Sequence, residues 1–377
     1  MKKILLCGGG TAGHVSPALA IAGLIRRRWG DTEFLYIGRT GGKENDAVKK
    51  EGIPLREIPI SGLTSGNPVV WFRILKKTVS AINSSAEIIR DFSPDLILGT
   101  GGYVSFPVIL AGQRAGIPTV LHESNAAPGL VTRLLGGHCR ALLFGLPPRP
   151  ADARRLKRAV VVGTPVRESF RGVSRRSARR RLGIPEGDRM ILAFGGSIGA
   201  GRLNELSLSL LRALADERHT HIFLATGRVN YDPIAGAAPE FTKNLSPHQI
   251  LPYIDDMATY MTAADLVICR SGAGTLSELA YTGTPALLIP SPNVKGNHQY
   301  YNAKSVADAG AAVLLPEHEI TEEGFIQTVK ELLENDEKRR RMGNRMKTLY
   351  CPMGEERLLS VLAGILDNKS HGKANKP

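Results

Sequence analysis

The chain has 377 residues, more than one ordinary hydrophobic core accommodates and enough for two domains of common size. Hydrophobic residues make up 42% and charged residues 22%, which excludes a disordered chain. The formal net charge of +14 is uneven: residues 1–165 hold 22 Lys and Arg against 11 Asp and Glu, and residues 166–377 hold 27 against 24.

The first apolar run follows Lys2 and Lys3, as a secretory leader would, but stops at Gly8-Gly9-Gly10, too soon for a signal sequence. No stretch approaches 18 unbroken apolar residues, so no spanning helix is expected and membrane contact would be peripheral. In the first half, strands are predicted over 3–7, 33–37, 55–58, 96–98, 119–122, 141–144 and 159–162. Helices are predicted over 15–28, 68–91, 104–115 and 129–135. This alternation predicts parallel strands with helical crossovers, a doubly wound α/β sheet. Residues 140–181 then carry 13 basic side chains against only Asp152 and Glu168. That field suits an anionic partner (nucleic acid, a phosphorylated ligand or anionic lipid) or a merely solvated face.

The pattern restarts with strands over 190–194, 222–225, 266–269, 286–289 and 312–315. Helices are predicted over 202–214, 275–282, 299–309, 322–334 and 337–349. Two Rossmann-like domains, 1–164 and 165–349, joined near Gly163-Thr164-Pro165, are the simplest account. A last helix, about 355–366 within the segment 350–366, has the option of returning to the first domain, and the tail 367–377 is expected to be disordered. Cys7, Cys139, Cys269 and Cys351 form no CxxC pair, which favours reduced, structural thiols in a cytoplasmic protein.

Four glycine turns follow strands: Gly8-Gly9-Gly10-Thr11-Ala12-Gly13-His14, Gly99-Thr100-Gly101-Gly102-Tyr103, Gly195-Gly196-Ser197-Ile198-Gly199-Ala200, and Ser271-Gly272-Ala273-Gly274-Thr275. Gly8, Gly10 and Gly13 match GxGxxG, but the second strand ends at Gly38-Arg39 without the acid that a nicotinamide enzyme uses to hold ribose. Any one such turn is more often plain than functional. Four of them at strand C-terminal ends are expected to line a crevice edge with bare backbone N–H groups. Glu278, one helical turn after Gly274, is suited either to gripping ribose hydroxyls or to serving the helix dipole. His14 is open between capping a turn and acting as a base.

The strings GGGTAGHVSPALA, GTGGYVSFP, HESN, GTPVR, GGSIGA, PYIDDM, CRSGAGTLSEL and GNHQYYNA, in that order, resemble the MurG family. These are UDP-N-acetylglucosamine transferases acting on undecaprenyl-pyrophosphoryl-muramoyl-pentapeptide. The resemblance spans about 2–366. It implies a GT-B fold of two Rossmann-like domains facing across a cleft and an inverting transfer to the C4 hydroxyl of the muramoyl sugar of lipid I, forming lipid II. It also implies no cofactor and no catalytic metal, and the chain shows neither a DxD pair at a strand end nor His/Cys ligand spacing.

Carried over residue by residue, the resemblance makes Thr11, Ala12, Gly13, Asn125, Arg167 and Ser197 donor contacts, with Arg167 and Ser197 suited to the diphosphate. Ile254 would meet the uracil, Glu278 the ribose and Gln299 the sugar hydroxyls, with Ala273, Gly274 and Thr275 completing the donor turn. Gly101, Gly102 and Tyr103 become acceptor or diphosphate loop residues. His14 is the candidate base, with Glu123 the alternative. Ala12 stands where the family often has glycine, and Ser124 where it often has glutamine. Residues 171–181 match no family motif.

A lipid acceptor calls for a membrane surface. On a helical wheel from Pro68, Trp71, Phe72, Leu75, Val79 and Ile82 share a face that Val70 and Ile74 widen to roughly 200°, beyond the ~100° of one core face. Arg73, Lys76 and Lys77 border it. This reads as a patch dipping into anionic lipid on the cytoplasmic face of a bacterial membrane, or else as a helix buried on two sides. Other cell-wall synthesis proteins are possible partners under the resemblance. A nucleic-acid partner is not expected, because no recognition module or aromatic RNA motif accompanies the charge. The rival enzyme readings are a transferase of hexose to diacylglycerol and a UDP-sugar epimerase.

Overall fold

A computed structural model of the chain describes residues 1–10, 12–42, 45–62, 68–154, 156, 159–196, 199–241, 248–350 and 353–374. The chain divides into two compact units. Unit 1 comprises Met1–Val166 with Cys351–Pro377, and unit 2 comprises Arg167–Tyr350.

Unit 1 holds seven parallel strands: β1 (Lys2–Cys7), β2 (Thr32–Arg39), β3 (Leu55–Ile58), β4 (Leu96–Gly99), β5 (Thr119–Glu123), β6 (Ala141–Phe144) and β7 (Ala159–Val161). Their order is β3-β2-β1-β4-β5-β6-β7. The central strands are apolar throughout because both sheet faces are covered. Side chains alternate across the sheet, so Ile4 and Leu6 enter one core layer while Leu5 and Cys7 enter the other. The first layer is closed by the Ala12–Arg28 helix and by the C-terminal helix Gly354–Ala374. In that last helix Leu358, Leu362 and Leu366 repeat every four residues and are buried in the same core cluster as Ile4, Leu6 and Val15. Each such burial contributes roughly 1.5–3 kcal/mol, which holds the chain's end on unit 1. The second layer is closed by the helices Pro68–Phe92 and Gly102–Arg114.

Unit 2 repeats the plan with β8 (Arg189–Phe194), β9 (Thr220–Ala225), β10 (His248–Leu251), β11 (Leu266–Cys269), β12 (Ala286–Leu288) and β13 (Ala312–Leu314), in the order β10-β9-β8-β11-β12-β13. In both units the chain works outward on one side of its first strand, then crosses back to the other side. The order therefore reverses between β1 and β4 and again between β8 and β11. At such a point neighbouring loops diverge and open a crevice at the strand C-terminal ends.

Several features depart from the sequence expectation, among them the unpredicted helices Asn45–Lys50, Tyr231–Ala237 and Met257–Ala263. Edge strand β10 was not anticipated, because His248 and Gln249 interrupt an apolar signal only four residues long. The C-terminal helix Gly354–Ala374 runs past residue 367, where the tail was expected to begin. The basic segment 171–181 contains a helix, Arg175–Leu182, that lacks an apolar period and is instead fixed at its ends. Ser174 accepts a hydrogen bond from the Ser177 N–H, and Gly183 closes it with φ 68°.

Part of the basic field is taken up inside unit 2. Asp265 binds Arg175 at 2.5 Å and Arg179 at 3.1 Å, and Arg181 meets Asp256 at 3.0 Å. Arg179 is buried and also donates to the carbonyl oxygens of Pro185 and Asp188, both at 2.6 Å. Arg175 and Arg179 tie the entry of unit 2 to the start of β11 through Asp265, whereas Arg181 stays exposed.

Candidate active site

In unit 1 the turns after β1 and β4 lie side by side, because Cys7 pairs with Gly99. Two hydrogen bonds lock this region. Thr100 Oγ1 donates to the His14 carbonyl oxygen at 2.5 Å, and Ser105 Oγ donates to that of Gly101 at 2.8 Å. Gly102 has φ 72°, and a side chain there would collide with the Gly9 carbonyl oxygen. A Cβ on Gly10 would come within 2.5 Å of the Tyr103 ring. His14 stands over the second turn: a Cβ on Gly101 would lie 3.1 Å from its Cδ2, and one on Gly102 3.2 Å from its Nδ1. The imidazole is half-buried on a rigid backbone platform, which suits a group that takes a proton from a ligand. Beneath it, burial pushes the Cys7 thiol up to about 12, so that group stays protonated and inert.

Glu123, the alternative base, has other work. One carboxylate oxygen accepts from the Asn125 N–H and Asn125 Nδ2, both at 3.1 Å. The second accepts from the Gly129 N–H at 2.8 Å and Thr132 Oγ1 at 2.9 Å. Buried with four donors, it organises the loop carrying Asn125, two strands away from β1. His122 beside it is buried, which lowers its pKa and keeps it neutral at pH 7, with Nε2 3.0 Å from the Gly163 carbonyl oxygen.

In unit 2 the turns after β8 and β11 share the second reversal point. Gly199 has φ 84° and presses on the Thr226 carbonyl oxygen, which also accepts from Asn204 Nδ2 at 3.0 Å. The two following helices, Gly201–Ala213 and Ala273–Thr282, begin after Ala200 and Gly272, and neither residue supplies a side-chain cap. Their first-turn N–H groups, those of Ala273, Gly274 and Thr275 among them, suit an anion.

Further along the second of these helices, Arg167 Nε donates to Glu278 Oε1 at 2.7 Å. The Glu278 side chain is only 14% exposed. Burial pushes its carboxyl above the usual carboxylate range, and the Arg167 guanidinium pulls it partly back. Arg167 also lies 5.3 Å over the Phe170 ring. Gln299 is oriented by two contacts: its Oε1 accepts from the Ser291 N–H at 2.8 Å, and its carbonyl oxygen accepts from Ser271 Oγ at 2.8 Å. Buried Asn302 donates to the Ser271 carbonyl oxygen at 3.2 Å. Ile254 is buried between β10 and the Met257–Ala263 helix.

The structure thus joins His14 to the Gly101–Gly102 turn and Arg167 to Glu278. Thr100, Ser271, Asn302 and Phe170 support these groups and were not singled out from sequence, although Thr100 and Ser271 lie within the glycine turns themselves. Thr11 and Ser197 lie outside the described residues. Ala12 opens the Ala12–Arg28 helix with Gly13 next to it, and the Ala12 side chain lies outside the described set. The same holds for the side chains of Val70 and Trp71. Further along the Pro68–Phe92 helix, Ile74 is half-buried, Arg73 and Lys77 are exposed, and Leu75 and Val79 are 61% and 50% exposed. Among the described residues no helix is long and apolar enough to cross a membrane, and no group of three or more His, Cys, Asp or Glu side chains is arranged to hold a metal ion.

Comparison with known proteins places this geometry in a family. Residues 4–143 match the glycosyltransferase family 28 N-terminal domain, and residues 190–357 match its C-terminal domain. A Desulforudis audaxviator protein is 36% identical over 96% of this chain and 97% of its own length. It is named UDP-N-acetylglucosamine–N-acetylmuramyl-(pentapeptide) pyrophosphoryl-undecaprenol N-acetylglucosamine transferase. The crystal structure of Acinetobacter baumannii MurG is similar with a TM-score of 0.77 at 28% identity, covering 97% of this chain and 100% of that one. A Neisseria meningitidis UDP-GlcNAc 2-epimerase structure is also similar, with a TM-score of 0.67 over 97% of this chain and 100% of that one. At 14% identity it speaks to the fold alone.

Proposed function

The chain belongs to glycosyltransferase family 28 and, within it, to the MurG transferases, and we infer that it moves N-acetylglucosamine from UDP-N-acetylglucosamine to lipid I, yielding lipid II of peptidoglycan synthesis. The observation that carries this reading is the match along 96% of the chain to a relative of that name.

We assign the donor to the unit 2 reversal point. The diphosphate sits on the uncapped N-termini at Gly201 and Ala273, with Ser197 and Arg167 completing its shell. Glu278 takes the ribose hydroxyls, Ile254 the uracil and Gln299 the sugar. Arg167 and Glu278 hold each other in the structure. Donor binding therefore exchanges partners, guanidinium to phosphate and carboxylate to ribose, so that the largely buried Glu278 carboxylate is not left alone.

In unit 1, Thr11, Ala12, Gly13 and Asn125 are assigned to the donor on the family resemblance. His14 accepts the proton of the muramoyl C4 hydroxyl as that oxygen forms its bond to the anomeric carbon. The bond from that carbon to UDP breaks with inversion. The negative charge that develops on UDP meets backbone N–H groups and Arg167, without a call on metal. Glu123 is left as the organiser of the Asn125 loop.

The enzyme meets its acceptor as a peripheral protein on the cytoplasmic face of the bacterial membrane, with exposed Leu75 and Val79 in the lipid surface and Arg73 near anionic headgroups. Growth and division of the cell wall depend on the product.

The test is transfer of radiolabelled N-acetylglucosamine from its UDP donor to a lipid I analogue with EDTA present. Labelled lipid product supports the reading, whereas epimerised UDP-sugar with no lipid product overturns it. Leu75→Asp with Val79→Asp should abolish sedimentation with anionic vesicles. Unchanged sedimentation would remove the apolar patch from the account.

A further inference from the structure

The two turns beside His14 are fixed by buried hydroxyls. In Gly99-Thr100-Gly101-Gly102 the one residue with a side chain is Thr100, and it is 2% exposed. A hydroxyl has one hydrogen to donate. Thr100 Oγ1 lies 2.5 Å from the His14 carbonyl oxygen and 3.3 Å from that of Cys7, which the Thr100 N–H already meets at 2.9 Å. The hydrogen therefore goes to His14. Ser105 divides its bonding in the same way, with its hydroxyl 2.8 Å from the Gly101 carbonyl oxygen and 3.2 Å from that of Cys7. Gly8 leaves the space for the Thr100 bond, because a Cβ there would come within 2.3 Å of Thr100 Oγ1 and 2.9 Å of the His14 oxygen. Buried Tyr36 borders that space, its OH donating to the Gly8 carbonyl oxygen at 3.0 Å.

We propose that Thr100 is a positioning residue for His14, setting through the His14 carbonyl oxygen how the imidazole stands over the Gly101–Gly102 turn. The inference rests on the proton-accepting role assigned to His14 above and names what holds that group in place. The helix by itself holds this stretch less firmly than usual. Pro17 lies inside the Ala12–Arg28 helix and has no N–H to give to the carbonyl oxygen four residues back, that of Gly13. The first turn, with His14 in it, thus lacks one helical hydrogen bond, and Thr100 supplies a bond from the neighbouring strand turn. Ser105 fixes the surface beneath the imidazole through Gly101. The imidazole has little slack above that surface, since a Cβ on Gly101 would already lie 3.1 Å from its Cδ2. Misplacing a reacting group by about 1 Å costs ~10²-fold in rate, so the length of one buried hydrogen bond matters here. Thr100 is buried and acts through His14, not on a substrate.

The test is a double-mutant cycle on transfer by the full-length chain to a short-chain lipid I analogue. Thr100→Val keeps the shape of the side chain and removes the hydroxyl, whereas Thr100→Ser keeps the hydroxyl and removes the methyl group. Thr100→Val should lower kcat about thirtyfold with both KM values within about twofold, and Thr100→Ser should restore kcat. In a His14→Ala background, Thr100→Val should cost no more than about twofold further, because the group it positions is gone. Thr100→Ala adds no atom to the buried site, should behave as Thr100→Val does, and carries the cycle if Thr100→Val does not fold. A wild-type kcat in these two variants, beside a crippled His14→Ala, overturns the proposal and leaves His14 as the base. A loss that persists in full in the His14→Ala background also overturns it, since Thr100 would then act on the fold and not through His14. Normal turnover in His14→Ala, by contrast, overturns the base reading and the proposal with it.

Discussion

The two reversal points share one strand order and the same pair of glycine turns, yet their glycines serve different needs. In unit 1 the turns press on each other: Gly102 faces the Gly9 carbonyl oxygen, Gly8 faces Thr100, and Gly101 carries His14. Glycine is required there by the protein's own packing. In unit 2, Gly199 is crowded in the same way, but Gly274 is not. It occupies a helical position with no neighbour within 4 Å of where a Cβ would stand, and its φ is not in the left-handed region. Glycine costs about 1 kcal/mol against alanine inside a helix, and nothing within the chain repays that. Gly236 and Gly364 are equally open on other helices, so it is the place of Gly274 in the turn after β11 that fits the proposed donor. In the proposed function, unit 1 serves as a rigid platform for a proton acceptor and unit 2 as an open cradle for a phosphate-bearing donor.

The strongest break in the comparison is His14→Ala. A positioned base contributes ~10²–10⁴-fold, so kcat should fall about a thousandfold while UDP binds as before. A loss confined to donor affinity would move His14 to the other half of the account. Next come Gly102→Ala and Gly199→Ala, which force a side chain onto a backbone carbonyl at positive φ. Each should lower the unfolding free energy by about 2–4 kcal/mol in urea titrations. A native-like midpoint for either would show that its turn is not locked.

Glu278→Gln should raise the UDP-N-acetylglucosamine KM about tenfold. It should also change the pH profile. Ribose hydroxyls donate to the ionised carboxylate, whose pKa burial raises. Wild-type donor affinity should therefore fall as pH drops through a value above 4.5, and the variant's profile should be flat there. A wild-type profile flat over the same range would remove Glu278 from the donor site. The smallest effect separates the two kinds of glycine most finely. Gly274→Ala should leave stability within about 0.5 kcal/mol and yet weaken UDP about fivefold. Unchanged UDP affinity would mean that no ligand comes near that turn.

Much of the fold was legible before the structure, because parallel strands covered on both faces read as short apolar runs between glycine turns. Among what escaped are elements that carry no apolar period. The edge strand at His248–Leu251 is half polar, and the Arg175–Leu182 helix depends on its caps and on Asp265, a partner distant in sequence. The site was legible as four glycine turns and a few polar neighbours. Their grouping into two pairs was not, since it follows from strand order and not from spacing along the chain. Nor did sequence disclose that Arg167 and Glu278 bind each other, or that both oxygens of Glu123 are engaged. Such contacts exist only once distant loops are brought to the same sheet edge.

The division of labour between the two units is tested most directly by calorimetric titration of UDP into the wild type, His14→Ala and Glu278→Gln. The account predicts that His14→Ala binds UDP as the wild type does, while Glu278→Gln binds about tenfold more weakly. Equal weakening in both variants, or none in Glu278→Gln, would contradict the assignment of donor binding to unit 2 and of proton transfer to unit 1.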